Sequence, residues 1–119
     1  MFGNFYKLVI VGSLCVLSSV AMMGHLAYAA TYHIIITDRH FTPEKIVGQI
    51  DQPVTITVSN QGTKIHNFIL PAFYIYSPNL SVHHTTTVQF TPDKKGVFDF
   101  FSDAGGKKEQ GLVGKIDVH

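Results

Sequence analysis

The carboxyl-terminal part of the chain contains two stretches in which every second side chain is alike in character. One face of the first stretch carries Phe98, Phe100 and Ser102, and one face of the second carries Leu112, Gly114, Ile116 and Val118. A period of two is typical of a β-strand that is buried on one side. The intervening residues, 103–111, include three glycines and four charged residues. They predict a surface loop, which is where local function is expected.

The preceding part of the chain shows the same strand signals and no helical period. The predicted strands are residues 32–37, 45–50, 54–59, 65–70 and 85–91. With the two closing strands they make about seven short strands, separated by turns rich in Gly, Pro, Asn and Asp. This spacing predicts an all-β fold, a Greek-key β-sandwich.

The first 29 residues predict export. Lys7 is followed by an apolar run over residues 8–23, and the Ala-Tyr-Ala sequence at 27–29 fits the small-x-small rule of signal peptidase. A membrane-anchoring helix is the alternative, although serines and glycines interrupt a run that is short for a membrane span. We therefore predict a signal peptide at 1–29 and a periplasmic or secreted domain at 30–119, without a stable membrane anchor after cleavage.

Cleavage would also fix the chemistry of the mature domain. The single cysteine, Cys15, lies inside the predicted signal peptide, so the mature chain has neither a disulfide nor a thiolate ligand. Only Lys7 of the nine basic residues is lost, which leaves eight basic residues against eight acidic ones. Such a balance gives no basis for nucleic-acid binding. No catalytic motif is recognisable either, and we predict that the chain is not an enzyme.

Four motifs, in this order along the chain, resemble the cupredoxins, small copper proteins that carry electrons. They are Phe-Thr-Pro at 41–43, the strand at 54–60, His-Asn-Phe at 66–68 and the glycine-containing closing segment at 96–118. The resemblance implies a cupredoxin-like β-sandwich. In that family the closing loop supplies a Cys, a His and a Met, which join an earlier His around a type 1 blue-copper ion.

The ligand positions of that family match this chain poorly. His66 stands at the earlier His, but Ser102, Lys107 and Leu112 stand at the Cys, the loop His and the Met. Hydroxyl, ammonium and aliphatic groups are poor copper ligands at neutral pH. The resemblance thus implies an exported binding module without a type 1 centre, accessory to periplasmic metal uptake or handling. Electron transfer is disfavoured because the mature chain has no cysteine.

The histidines suggest a different metal site. His83 and His84 precede the strand at 85–91, which we expect to pair with the next strand and so to begin beside the closing loop. A cupredoxin topology brings His66 to that end as well. We therefore expect a surrogate Cu(II) or Zn(II) site of His66 with His83 or His84, aided by Asp103. Copper is the candidate metal, and no cofactor is certain.

Two further segments are candidates for binding. The aromatic residues at 73–76 would contact a periplasmic protein partner if they prove exposed. Cleavage one residue later would place Thr31 at the amino terminus and His33 third, an arrangement that suits square-planar Cu(II) or Ni(II).

Overall fold

The computed structural model describes residues 29–119, which form two β-sheets and one short 3₁₀ turn at Pro71–Phe73. The strands are β1 (Ala30–Ile36), β2 (Phe41–Thr42), β3 (Lys45–Gly48), β4 (Val54–Asn60), β5 (Ile69–Leu70), β6 (Ile75–Tyr76), β7 (Thr85–Phe90), β8 (Gly96–Phe101) and β9 (Val113–Val118). Apart from Ala29, the predicted signal peptide lies outside the described residues. In this part of the chain no helix has the length and hydropathy needed to cross a membrane.

The two sheets have the strand orders β2-β1-β4-β7 and β3-β9-β8-β5-β6. β1 runs parallel to β4, and β3 runs parallel to β9, whereas the other pairs are antiparallel. The prediction of an all-β sandwich is confirmed. Residues 29–119 contain nine strands rather than about seven, because β2 and β6 have only two residues each and are too short to produce an alternation in the sequence.

The predicted alternation of the closing strands is confirmed by their burial. Phe100, Leu112 and Ile116 are fully buried, whereas Val97 and Val113 are about half exposed. Strand β4 shows the same period: Val54, Ile56 and Val58 are fully buried, since both sheets turn one face inward.

Three phenylalanine rings form the part of the core nearest to the closing loop. The ring centroids of Phe41, Phe68 and Phe100 lie 5.0 to 6.1 Å apart, in tilted and edge-on arrangements that favour aromatic contact. Gly114 lies opposite Phe100, and a Cβ there would come within 2.2 Å of that ring. Phe41 is adjacent to His40, Phe68 lies two residues from His66, and Phe100 lies two residues from Ser102, so the cluster supports the segments that carry these residues.

The predicted strand at 65–70 was wrong in its first half. Only Ile69–Leu70 forms a strand, and His66 makes an isolated antiparallel bridge with Leu80. The reason is that side-chain hydroxyls take the backbone donors: the N–H of Asn67 donates to Ser102 Oγ at 3.0 Å, and that of Phe68 donates to Ser77 Oγ at 2.8 Å. Such bonds replace a regular ladder.

The pairing predicted for residues 85–91 was also wrong. β7 pairs with β4, in the first sheet, whereas β8 pairs with β9 and β5 in the second. Residues 91–95 therefore connect the two sheets instead of closing a hairpin. The start of β7 still reaches the same end of the sandwich, because Thr85 lies opposite Ser59 near the end of β4.

Candidate functional site

Four loops meet at one end of the sandwich, which we call the loop end. They are residues 37–40, 61–65, 81–84 and 103–111. Asp38 joins the first two loops, because its Oδ1 accepts a hydrogen bond from the N–H of Thr63 at 2.9 Å. Asn60, at the end of β4, joins the third, because its C=O accepts from the N–H of His83 at 2.8 Å. Glu109 connects the fourth loop to the other three, because its side chain contacts His66.

His66 lies buried at the centre of the loop end, between two carboxylates. Its Nε2 is 2.8 Å from Asp38 Oδ1, and its Nδ1 is 2.9 Å from Glu109 Oε2. The side chains of Asp38 and Glu109 are 29% and 27% exposed, so they separate the ring from solvent. Because carboxylates accept hydrogen bonds, both contacts are satisfied when each ring nitrogen carries a hydrogen.

Asp38 is held as a carboxylate by several donors. The hydrogen bond from the Thr63 hydroxyl, followed by the one to His66, holds the pKa of Asp38 well below its usual range. The backbone N–H groups of Thr63 and Lys64 donate to Oδ1 as well. At neutral pH Asp38 therefore carries a negative charge beside the imidazole.

Gly62 provides the space for this pair. A Cβ at Gly62 would lie 2.3 Å from Asp38 Oδ1 and 3.1 Å from His66 Nε2. The sequence marks Gly62 as a turn residue able to adopt positive φ, but its φ is not among the positive values found in residues 29–119. The glycine is needed because the backbone approaches the Asp38–His66 pair closely.

Ser102 and Glu109 complete the network. Ser102 is fully buried, and its hydroxyl donates to Glu109 Oε2 and accepts from the N–H of Asn67 at 3.0 Å. The same carboxylate oxygen therefore contacts both His66 Nδ1 and Ser102 Oγ. The N–H of Glu109 also donates to the C=O of Ser102 at 2.9 Å, so a backbone hydrogen bond joins the same two residues.

Neither Glu109 nor Asp38 was predicted from the sequence as part of a site. Glu109 stands in a loop with Lys107 and Lys108, where a charged side chain is ordinarily solvated. The spacing of the chain contains no signal for either contact, because 43 residues separate Glu109 from His66 and 28 separate Asp38 from it.

The other positions matched to copper ligands lie where their side-chain chemistry would place them. Lys107 is exposed, and Leu112 is fully buried in the core. Asp103, expected beside His66, instead pairs with Asn67: its Oδ1 accepts from Asn67 Nδ2 at 2.9 Å, and its N–H donates to Asn67 Oδ1 at 2.8 Å.

His83 and His84 are exposed and lie beside the segment that carries His66. The N–H of Asn60 donates to the C=O of His84 at 2.9 Å, and its Nδ2 donates to the C=O of Leu80 at 2.8 Å. The ring nitrogens of His66, however, contact the two carboxylates rather than these histidines. Across residues 29–119, no three His, Cys, Asp or Glu side chains form a group that could hold a metal ion.

The aromatic segment at 73–76 divides between core and surface. Phe73 is buried and stacks on Phe90 at 5.1 Å, whereas Tyr74 is 83% exposed and Tyr76 is 63% exposed. The segment expected to contact a partner therefore presents two tyrosines, and its phenylalanine supports the core.

Three solved structures illustrate the fold that this chain shares. Reduced auracyanin from Roseiflexus castenholzii has a TM-score of 0.64 and 15% identity, over 79% of this chain and 99% of auracyanin. The metal binding domain of the Cu(I)-exporting P-type ATPase CopA of Streptococcus pneumoniae D39 has a TM-score of 0.65 and 18% identity, over 79% and 90%. A copper binding protein in its apo form has a TM-score of 0.63 and 20% identity, over 80% and 93%.

At these identities the structural matches show a shared fold. No curated protein matches the sequence. The chain does, however, match the family described as Cupredoxin-like domain over residues 8–113, which is most of its length. The resemblance seen in the sequence motifs is thus confirmed, and the chain belongs to the cupredoxin-like domain family.

Proposed function

We propose that this chain is an exported cupredoxin-fold binding module that lacks a type 1 blue-copper centre and assists periplasmic metal uptake or handling. One observation carries the proposal: Glu109 Oε2 lies against both His66 Nδ1 and Ser102 Oγ, the positions matched to the family's His and Cys ligands. The Glu109 carboxylate therefore forms a hydrogen bond with each of these two groups. Catalysis is not part of the proposal, because the Ser102 hydroxyl that donates to Glu109 is fully buried.

The donor set does not fit blue copper. A type 1 site needs a thiolate and two imidazoles around the ion, with a weak axial ligand. Among the matched positions only His66 offers such a donor, since Ser102 is a hydroxyl, Lys107 is an exposed ammonium and Leu112 is in the core. A role in metal handling is supported instead by two neighbours of the same fold, a copper binding protein and a metal binding domain of a Cu(I) exporter.

A second function, Cu(II) binding by His66 with His83 or His84, is favoured by the hydrogen bonds of Asn60. They hold the 83–84 turn beside Leu80, whose N–H donates to the C=O of His66 at 2.7 Å. Both turn histidines have exposed side chains, so they are free to move toward an ion. Binding would require His66 to exchange one carboxylate contact for the metal.

Copper titration of the mature exported chain tests both functions. Calorimetry and optical absorption with Cu(II) should give no intense blue band, and such a band would overturn the leading proposal. The His66→Ala chain and the His83→Ala/His84→Ala chain test the second function, with His40→Ala as a matched control at the loop end. Tight binding lost in the first two chains only would make copper binding the working function.

Binding that survives in all of these chains would refute the surrogate site and direct attention to the amino terminus, near His33. Because His66 is buried, circular dichroism should accompany its replacement. The exposed double variant keeps the test decisive if His66→Ala does not fold.

A further inference from the structure

The charges of the loop end are sorted by sign. The three acids of its loops, Asp38, Asp103 and Glu109, all accept hydrogen bonds from groups of the network described above. The four bases of the same loops are all exposed, and none forms an ion pair within residues 29–119. They are Arg39, Lys64, Lys107 and Lys108. The most exposed charged residues at this end are therefore the positive ones.

Contacts of the loop end position three of the bases. The N–H of Lys64 donates to Asp38 Oδ1 at 3.2 Å, and Asp38 directly precedes Arg39 in the chain. The closing loop packs against the same segment, because a Cβ at Gly111 would come within 2.6 Å of the C=O of Arg39. Lys108 is positioned by its own contact, with Nζ 4.4 Å from the centroid of the Phe101 ring.

Two exposed aliphatic residues, which we call the apolar pair, lie in loops of the same end. Ile65 is 54% exposed and Val82 is 36% exposed, although the loops around them are polar. The antiparallel bridge between His66 and Leu80 places residue 65 opposite residue 81, so the two aliphatic side chains belong to adjacent segments. Apolar side chains surrounded by charge are the usual composition of a protein interface.

We propose that the loop end is a docking surface for an acidic protein segment. Its carboxylates would face Lys64, Lys107 and Lys108, and an aliphatic side chain would contact Ile65 and Val82. The inference rests on the proposed function as a binding module and specifies the chemistry of the partner. A protein segment is favoured over an anionic membrane because the mature domain has no net excess of basic residues. A local cluster on a neutral domain suits a partner with a local acidic patch.

The probe is a fluorescently labelled oligoglutamate peptide, with binding to the mature chain measured by anisotropy at low ionic strength. The test variant is Lys64→Glu/Lys107→Glu/Lys108→Glu. The matched control is Lys45→Glu/Lys94→Glu/Lys95→Glu, which changes net charge equally at exposed lysines outside the loop end. The test variant should bind about tenfold more weakly, as three modest surface charge contacts imply, whereas the control should change by less than about twofold. Equal losses in the two variants would overturn the proposal.

A second peptide, with two central glutamates replaced by leucine, tests the apolar pair. It should bind more tightly than oligoglutamate, and the Ile65→Ser/Val82→Ser chain should lose that gain. No gain with leucine would refute the apolar contact. Tighter binding to phosphatidylserine–phosphatidylcholine vesicles than to either peptide would instead assign the surface to lipid. None of these results depends on the copper spectrum, so the docking surface and the proposed function fail separately.

Discussion

The Nδ1 atom of His66 lies 2.9 Å from Oε2 of Glu109, and the same oxygen accepts the hydroxyl hydrogen of Ser102. The chain thus satisfies three polar groups at its loop end with internal contacts. Both His66 and Ser102 are fully buried, so neither can turn to water if the carboxylate is removed. The stability of this end should therefore depend on Glu109.

Replacement of Glu109 by Ala should lower the free energy of unfolding by about 1–3 kcal/mol, because it leaves two buried polar groups without a partner. Denaturant unfolding followed by circular dichroism would measure the loss. Glu44→Ala is the control, since Glu44 is exposed and its side chain makes no comparable contact within the described part of the chain. An unchanged midpoint for Glu109→Ala would show that the contact with His66 does not stabilise the fold.

Gly62→Ala should destabilise the chain by about 1–3 kcal/mol, because the new methyl group would force Asp38 away from His66. Gly105→Ala is its control, because no neighbouring atom of residues 29–119 lies within 4 Å of a Cβ at that position. The control should change stability by less than about 0.5 kcal/mol. Similar midpoints for the two variants would contradict the close approach at Gly62.

Asp38 should make stability depend on acid pH. Its pKa is lowered in the folded chain by the Thr63 hydroxyl and by His66, so its contribution is complete above the unfolded pKa of about 3.9. As the pH falls below about 4, the unfolded state takes up the proton more readily and the contribution is lost. Unfolding curves at about pH 6 and about pH 3 should therefore show that Asp38→Asn costs less stability at the lower pH, because part of the contribution is lost there.

The control for this pH effect is Asp93→Asn, at an exposed position in the 91–95 connection. It should leave the pH dependence of the parent chain unchanged. A cost of Asp38→Asn that is equal at both pH values would show that the charge of Asp38 is not responsible.

Ser102→Cys should give the chain a new response to Cu(II). A thiol at this buried position would lie beside His66 and Glu109, and thiolate is the ligand that the family's copper site requires. Absorption spectra with Cu(II) should show an intense visible band that the parent chain lacks. Ser77→Cys is the control. Ser77 is also buried, and its hydroxyl also accepts a hydrogen bond from a backbone N–H, in this case that of Phe68. Equal bands in the two variants would show that the loop end binds copper no better than another buried position does.

Local chemistry accounts for the parts of the fold that the sequence predicts. The faces of β8 and β9 follow from alternation alone, because adjacent side chains of a strand point to opposite sides. The buried position of Leu112 and the exposure of Lys107 follow in the same way from apolar and charged character. The failures concern residues whose partners lie far away in the chain, such as the pairing of β7 with β4.

The amino-acid sequence by itself therefore determined the longer strands, their buried faces, the family and the absence of a cysteine from the predicted mature domain. Only the tertiary structure decided that Asp38 and Glu109 enclose His66, that Ser102 bonds Glu109 and that the bases of the loop end remain exposed. The physical reason is that alternation depends on neighbouring residues, whereas a hydrogen bond requires its two atoms to lie about 3 Å apart. That distance is set by how the two sheets bring the four loops together.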